Sequence, residues 1–382
     1  MNFGSSDLVG IFTPAALIDE ARMMRNIERM QERMNTLGVR LRPHVKTSKS
    51  IEVTARQKRA GAQGITVSTL KEAEQFHAAG FDDILYAVCI APAKLDRALT
   101  LRRRGCALTL VVDSLASAQA VVDKGRAETH SFDMMIEIDT DGHRSGLKPN
   151  DADLIAIGQT LQAGGAHLKG VMTHAGGSYA CNTPEALQRI AEQERSGCVQ
   201  AAQRLRDAGL PCPEVSVGST PTALSAQSLA GVTEVRAGVY VFFDLVMANI
   251  GVCTPHDIAL SVLTTVIGHQ AERGWIIVDA GWMAMSRDRG TERQATDYGY
   301  GAVCDADGAI IDNLVMSGAN QEHGIVSHRN AAIDPGVSHR YPVGTQLRIL
   351  PNHACATAAQ YPEFHVVSAH DGPQICERFY GW

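Results

Sequence analysis

The sequence predicts an α/β protein, a (β/α)8 TIM barrel followed by a mostly β C-terminal domain. Three observations point there. Eight short runs rich in apolar or β-branched residues alternate with helix-length stretches between residues 40 and 240. Capping residues and glycines punctuate the stretches between them. Beyond about residue 255 strand-like runs continue, but turns rather than long helices join them.

The opening segment 11–19 (IFTPAALID) is extended and apolar and precedes any barrel helix, so it is expected to pair with the C-terminal domain. The barrel strands are expected at 40–46 (RLRPHVK), 64–69 (GITVST), 84–88 (ILYAV), 108–113 (LTLVVD), 134–139 (MMIEID), 168–174 (LKGVMTH), 214–220 (EVSVGST) and 234–240 (EVRAGVY). Residues 70–79 and 184–208 show the three- and four-residue apolar spacing of helices. Ser48, Ser114 and Thr183 stand where N-caps belong, and Gly61, Gly80, Gly105 and Gly209 where helices stop. A doubly wound open sheet would call for a glycine-rich first turn, and the turn after Lys46 has none. The later strand-like runs are 260–268, 275–279, 309–315, 346–350 and 364–368. The domains are therefore expected at 20–255 for the barrel and 256–382, with 1–19, for the β domain.

Composition narrows the function classes. The chain has 382 residues, 45% hydrophobic and 20% charged, with a net charge of −6. No basic block invites nucleic acid, and the LRRR run at 101–104 reads as a solvated helix end. No apolar run is long enough to span a bilayer, and MNFGSSDLVG lacks the features of a signal peptide. Nine cysteines without tight spacing argue for free thiols and a cytoplasmic setting.

In a (β/α)8 barrel the chemistry gathers at the C-terminal strand ends. Strand one ends in Lys46, and strand five leads into Asp139 and then Arg144 and Gly146. Strand six ends in Thr173 and His174, followed by a glycine pair and Tyr179. Strands seven and eight end in Gly218, Ser219, Thr220 and in Ala237, Gly238, Val239, Tyr240. Loops after the last two strands commonly hold phosphate, because glycine admits a close backbone and hydroxyls add donors. The bland alternative for Gly218–Thr220 is a turn with a helix N-cap. A lysine facing a phosphate site suggests pyridoxal 5'-phosphate, with the amine, partly desolvated by burial, forming a Schiff base. The alternative is a surface lysine ending a strand, but the apolar Pro43–Val45 flank argues against it.

Near the C-terminus, His353 and Cys355 lie two apart in PNHACAT. On an extended segment both side chains share one face. Imidazole with thiolate suits zinc or a similar divalent ion, and two ligands leave coordination positions open. Cys89, Cys106, Cys198, Cys212, Cys253 and Cys304 show no ligand spacing and are assigned to packing. The loop 281–290 (GWMAMSRDRG) mixes apolar anchors with charges and reads as a buried-Trp solvent loop or as one that closes over an active site. Glu322 and His323 read either as an acid/base pair or as a pair that supports site residues from behind.

These residues together resemble the alanine-racemase-like, fold type III, pyridoxal phosphate enzymes, and within them the metal-dependent D-serine dehydratase and D-threonine aldolase group. The likeness covers nearly the whole chain through RPHVKTSKS, GITVSTLKEAEQF, IEIDTDGHRSG, VSVGSTPTAL, TEVRAGVYVFFDLVM, VDAGWMAMSRDRGT, GANQEHG and RILPNHACAT. It implies Lys46 as the catalytic Schiff-base lysine, His353 and Cys355 as ligands of Zn, Mg or Mn, and Arg144 beside the cofactor's phenolic oxygen. It implies Gly218, Ser219, Thr220 and Gly238 around the phosphate, with His44, His174, Tyr179 and Tyr240 also lining the cofactor. The activity implied is dehydration of a β-hydroxy amino acid: 3-hydroxyaspartate to oxaloacetate and ammonia, or D-serine to pyruvate. The alternative is retro-aldol cleavage of D-threonine or 3-hydroxyaspartate to glycine and an aldehyde. The aldolase branch typically carries Asp where this chain has Cys355, which favours dehydration. Arg287 and Arg289 are candidate partners for a substrate β-carboxylate, and the family implies a homodimer.

Overall fold

The computed structural model describes residues 8, 10–330, 333–334, 336–368 and 372–382. The chain divides into two compact units, Glu28–Gly238 with Gly381–Trp382, and Met1–Ile27 with Val239–Tyr380. No helix among the described residues is long and apolar enough to cross a membrane.

Strand β1 (Ala15–Asp19) belongs to the second unit. The first unit holds eight parallel strands, β2 (Arg40–Leu41), β3 (Ile65–Val67), β4 (Asp83–Cys89), β5 (Ala107–Val112), β6 (Asp133–Ile138), β7 (His167–Thr173), β8 (Glu214–Val217) and β9 (Glu234–Val235). They follow one another in the order β2-β9-β8-β7-β6-β5-β4-β3. The ends of that series meet: Val45 N–H donates to the Thr66 carbonyl (2.9 Å) and Thr66 N–H to the Pro43 carbonyl (2.8 Å), which closes the sheet into a barrel. All eight expected strands are present. The first and last are shorter than expected, because Pro43 lacks an N–H and Gly238 sits where backbones crowd.

The intervening helices bury one stripe each against the sheet. Leu70–Ala78 buries Leu70, Ala73 and Phe76, and Pro184–Asp207 buries Leu187, Ala191, Cys198 and Leu205. Ser114 and Thr183 cap their helices by accepting the N–H of Ser117 (3.3 Å) and Ala186 (3.2 Å). Ser48 does not cap. The first barrel helix begins at Ile51 and its cap position is Ser50, whose hydroxyl turns to Glu52 (3.0 Å). Nor is the LRRR segment merely solvated: Arg102 folds back onto Asp133 (2.9 Å) and the Leu108 carbonyl (2.8 Å).

The second unit is a nine-stranded sheet with β10 (Leu260–Gln270), β11 (Trp275–Val278), β12 (Gly301–Cys304), β13 (Ile310–Ala319), β14 (Gly324–His328), β15 (Gln346–Pro351), β16 (Glu363–Val367) and β17 (Gln374–Glu377) beside β1. Strand β1 runs antiparallel to β10, with Leu17 opposite Ser261, and parallel to β16, with Leu17 opposite His365. Leu8, Ala15, Leu17, Leu263 and Val367 pack together there. Strands β12, β14 and β17 lie outside the expected runs: β12 and β14 are short and start on glycine, and β17 is short and half polar.

Candidate active site

The sequence places Lys46 two residues beyond His44, whose bridge to Thr66 closes the barrel. Val45, Thr47 and Ser48 are buried, while Lys46 itself is exposed. The expected desolvation of its amine is therefore not supplied by this unit's own packing; only its neighbours are sequestered. The ammonium still acts on its surroundings. His44 is held well below the ordinary imidazole range by burial, then by Lys46, Arg236, His174 and Arg144. His174 is pulled down to about 3, again mainly by burial, with its Nδ1 against the Gly218 carbonyl (3.0 Å) and Lys46, Arg144 and Arg236 nearby. Three cations thus share the strand ends with two neutral imidazoles, and the Nδ1 of His44 is buried with no hydrogen-bond partner. A cavity of about 430 Å³ opens beside them, lined in part by Arg144, His174 and Tyr179. Tyr179 is partly exposed, its ring 6.1 Å from that of His174.

The glycines expected to hold phosphate are required by the backbone. Gly218 has φ +127°, and a Cβ there would lie 2.6 Å from the Arg236 carbonyl oxygen. A Cβ at Gly238 would lie 2.8 Å from the His44 carbonyl oxygen. Two of the donors, however, are already committed. Glu194, buried and raised above the usual carboxylate range by that burial, accepts the Gly218 N–H (3.1 Å). The Ser219 N–H goes to the Thr222 hydroxyl (3.0 Å) in a capping box at the start of the helix Thr220–Ser225. The N-cap reading of this cluster is what the fold shows; Thr220 and Gly238 adjoin it. Tyr240 is fully buried in the turn Val239–Val241 and falls in the other unit.

His353 and Cys355 also belong to that other unit. They do not share an extended segment. Strand β15 ends at Pro351, His353 is the N-cap residue with φ −135°, and Cys355 lies in the short helix Ala354–Ala358. The corner nevertheless brings thiol and imidazole into hydrogen-bonding contact. Asp244 holds it from beneath, accepting the N–H of Ala354 (2.9 Å) and of Met247 (3.0 Å). On the imidazole's other side the Asp288 carboxylate lies 2.6 Å from Nδ1. Burial lowers the His353 pKa, but Asp288 and Cys355 outweigh it and hold the ring at about 11.

Other expectations resolve differently. Arg287 lies over the Trp282 ring (4.9 Å), and Arg289 over Tyr300 (5.2 Å) with Asp297 at 3.0 Å. Glu322 and His323 lie exposed at the turn between β13 and β14. Cys89 does more than pack: its thiol donates to Glu137 (3.1 Å), and Cys89, Asp113 and Glu137 offer three ligand atoms within 4.8 Å of one another. Burial, then Glu137, raises that thiol far above its ordinary pKa, so it stays protonated. Glu137 also accepts from Ser145 (3.2 Å) and faces Arg144 (3.5 Å). Sequence reasoning missed Glu137, Arg236 and Asp288. Each left a trace: an acid inside the apolar MMIEID run, an arginine two residues before Gly238 and so on the same strand face, and an aspartate between two arginines.

The family model described as "Alanine racemase, N-terminal domain" matches residues 18–246, and a serine dehydratase domain model matches residues 259–367. The chain is 64% identical over 98% of its length, and 99% of the relative's, to D-threo-3-hydroxyaspartate dehydratase of Delftia sp. (strain HT23). A solved structure of a variant of D-threo-3-hydroxyaspartate dehydratase in its metal-free form superposes with a TM-score of 0.97 at 64% identity, covering 98% of this chain and 99% of that one. D-serine dehydratase of Dictyostelium discoideum is 31% identical, with 96% of each chain covered.

Proposed function

The chain belongs to the alanine racemase N-terminal domain family, and from that premise we propose that it is a pyridoxal phosphate- and divalent-metal-dependent dehydratase. Its substrate is a β-hydroxy amino acid. Foremost is 3-hydroxyaspartate, giving oxaloacetate and ammonia; D-serine, giving pyruvate, stands second. The observation that carries this reading is the imidazole–thiol pair of His353 and Cys355, backed by Asp288. A racemase has no need of a metal, whereas hydroxide is a poor leaving group that a Lewis acid makes tolerable.

The barrel unit fits an anionic, aldehyde-bearing cofactor. It offers one amine, two further cations, two uncharged imidazoles and a backbone crowded at Gly218 and Gly238 so that no side chain intrudes. The donor set at 353 and 355 fits a borderline-soft divalent ion. Pyridoxal phosphate supplies an electron sink for the α-carbon, and the divalent ion polarises the departing hydroxyl.

The rest falls to the protein's own groups. Lys46 Nζ would hold the cofactor's aldehyde carbon, and as a free amine it would take the substrate's α-proton as general base. Arg144, which faces Glu137 at 3.5 Å, would orient the ring side of the cofactor. His44 and His174, kept neutral, can accept or donate one hydrogen bond each without adding charge. His353 and Cys355 hold the ion. In this reading 20–255 carries the cofactor and 256–382 with 1–19 the metal, in a cytoplasmic homodimer.

The test is a product analysis with a panel of D- and L-β-hydroxy amino acids, with and without chelator. Lys46→Ala should lose the visible cofactor band and all turnover. His353→Ala, or chelation, should stop ammonia release while the band persists. Full-rate deamination by a chelated sample would sink the metal's role, and glycine plus aldehyde in place of ammonia plus oxo acid would make it an aldolase.

A further inference from the structure

The loop that carries Asp288 is built more firmly than an exposed loop requires. Its backbone turns at Ser286, with φ +72°, and the Ser286 hydroxyl accepts the N–H of Asp288 (3.2 Å). The arginines on either side lie over Trp282 and Tyr300. The arginines are engaged with aromatic rings on both flanks, and the Asp288 carboxylate lies against His353.

The loop is registered against the metal-site corner at two points. Asn352, the residue immediately before His353, donates its side-chain amide to the Asp288 carbonyl (3.2 Å) and to that of Gly299 (2.7 Å). Its own amide oxygen accepts from Thr291 (3.0 Å). The second point is the carboxylate itself, 2.6 Å from His353 Nδ1. Backbone and side chain of one residue thus grip the two residues that follow the end of β15, Asn352 and His353.

The two nitrogens of an imidazole lie on opposite edges of the ring. A carboxylate at Nδ1 keeps the proton on that nitrogen, so the proton an incoming cation displaces is the one on Nε2, and it stops the ring from turning over. That constraint matters because the His353 side chain is 42% exposed and would otherwise sample several rotamers. An outward Nε2 beside the Cys355 thiol is the arrangement a two-ligand site needs. We propose that Asp288 is the positioning residue of this site: it sets the tautomer and ring orientation of His353 and does not itself ligate the ion. The inference rests on the reading of His353 and Cys355 as metal ligands given above.

The test titrates zinc into the chelator-stripped, cofactor-loaded full chain by calorimetry, for the parent, Asp288→Asn, Asp288→Ala and His353→Ala. Removal of such an outer carboxylate weakens metal binding by about 10–100-fold. Asp288→Ala should show that loss and Asp288→Asn, which keeps an acceptor oxygen without the charge, a smaller one. The cofactor band and the thermal midpoint of the stripped protein should stay at the parent's values; a merely structural role would move the midpoint instead. Parent-like zinc affinity in Asp288→Ala, alongside lost affinity in His353→Ala, overturns the positioning role alone. Parent-like affinity in His353→Ala overturns the ligand assignment and this inference with it.

Discussion

Two half-buried imidazoles weigh on the acid stability of the barrel. His174 titrates near 3 when folded against about 6.5 when unfolded, because burial disfavours its charged form. The unfolded chain therefore binds a proton that the folded one refuses. The stability tied to that neutral ring is complete above pH 6.5 and is lost as pH falls toward 3. Between pH 6.5 and 4 the loss from this residue should reach at most roughly 3 kcal/mol, less where solvent reaches part of the ring. His44 acts in the same direction. Urea midpoints across this range should fall more steeply for the parent than for His174→Gln; parallel slopes would refute the assignment. At this scale residue identity was legible and environment was not. A strand ending points to Lys46 but not to its exposure, and the sequence singles out Arg287 and Arg289, whereas Asp288 between them makes the contact with His353.

Strand β1 shows how far element-level reading extends. Five residues, all buried, sit before the first barrel helix and yet join the other unit's sheet between β10 and β16. Leu17 faces a partner on both sides and has no solvent exposure. Leu17→Ala should lower the unfolding free energy by about 2–5 kcal/mol, seen in denaturant midpoints, since a central strand cannot collapse around the cavity. A change below about 1 kcal/mol would mean that the strand is dispensable. The apolar pattern announced a strand here because burial on both faces demands it. The corner after β15 was misread for the complementary reason: two residues of spacing fit an extended chain or the first turn of a helix equally well, and only the Asp244 carboxylate at the Ala354 N–H selects the helix.

Across the barrel as a whole, charge is organised in depth. At the strand starts Arg42 donates to Glu234 (2.8 Å) and to both oxygens of Asp83 (2.8 and 3.0 Å). Glu234 is 3% exposed and continues through the Ser216 hydroxyl (2.7 Å) to Arg236. Removing Glu234 leaves the buried Arg42 with only the half-exposed Asp83 as its partner and takes the acceptor from the buried Ser216 hydroxyl. Glu234→Ala should therefore cost about 3–5 kcal/mol by urea unfolding, while an apolar exchange of both Glu234 and Arg42 should recover part of it. An effect under about 1 kcal/mol for the single change would show the network to be idle. By itself the sequence determined the eight-strand alternation, the passage to a β-rich unit and the residue types of the site, because periodicity and strand ends are local properties of the chain. Only the tertiary structure decided which carboxylate holds His353, that Gly218 and Ser219 spend their N–H groups inside the protein, and that Glu137, Arg236 and Asp113 stand where the strands end. Those pairings join residues far apart in sequence, and a hydrogen bond's direction has no trace in the spacing of either partner.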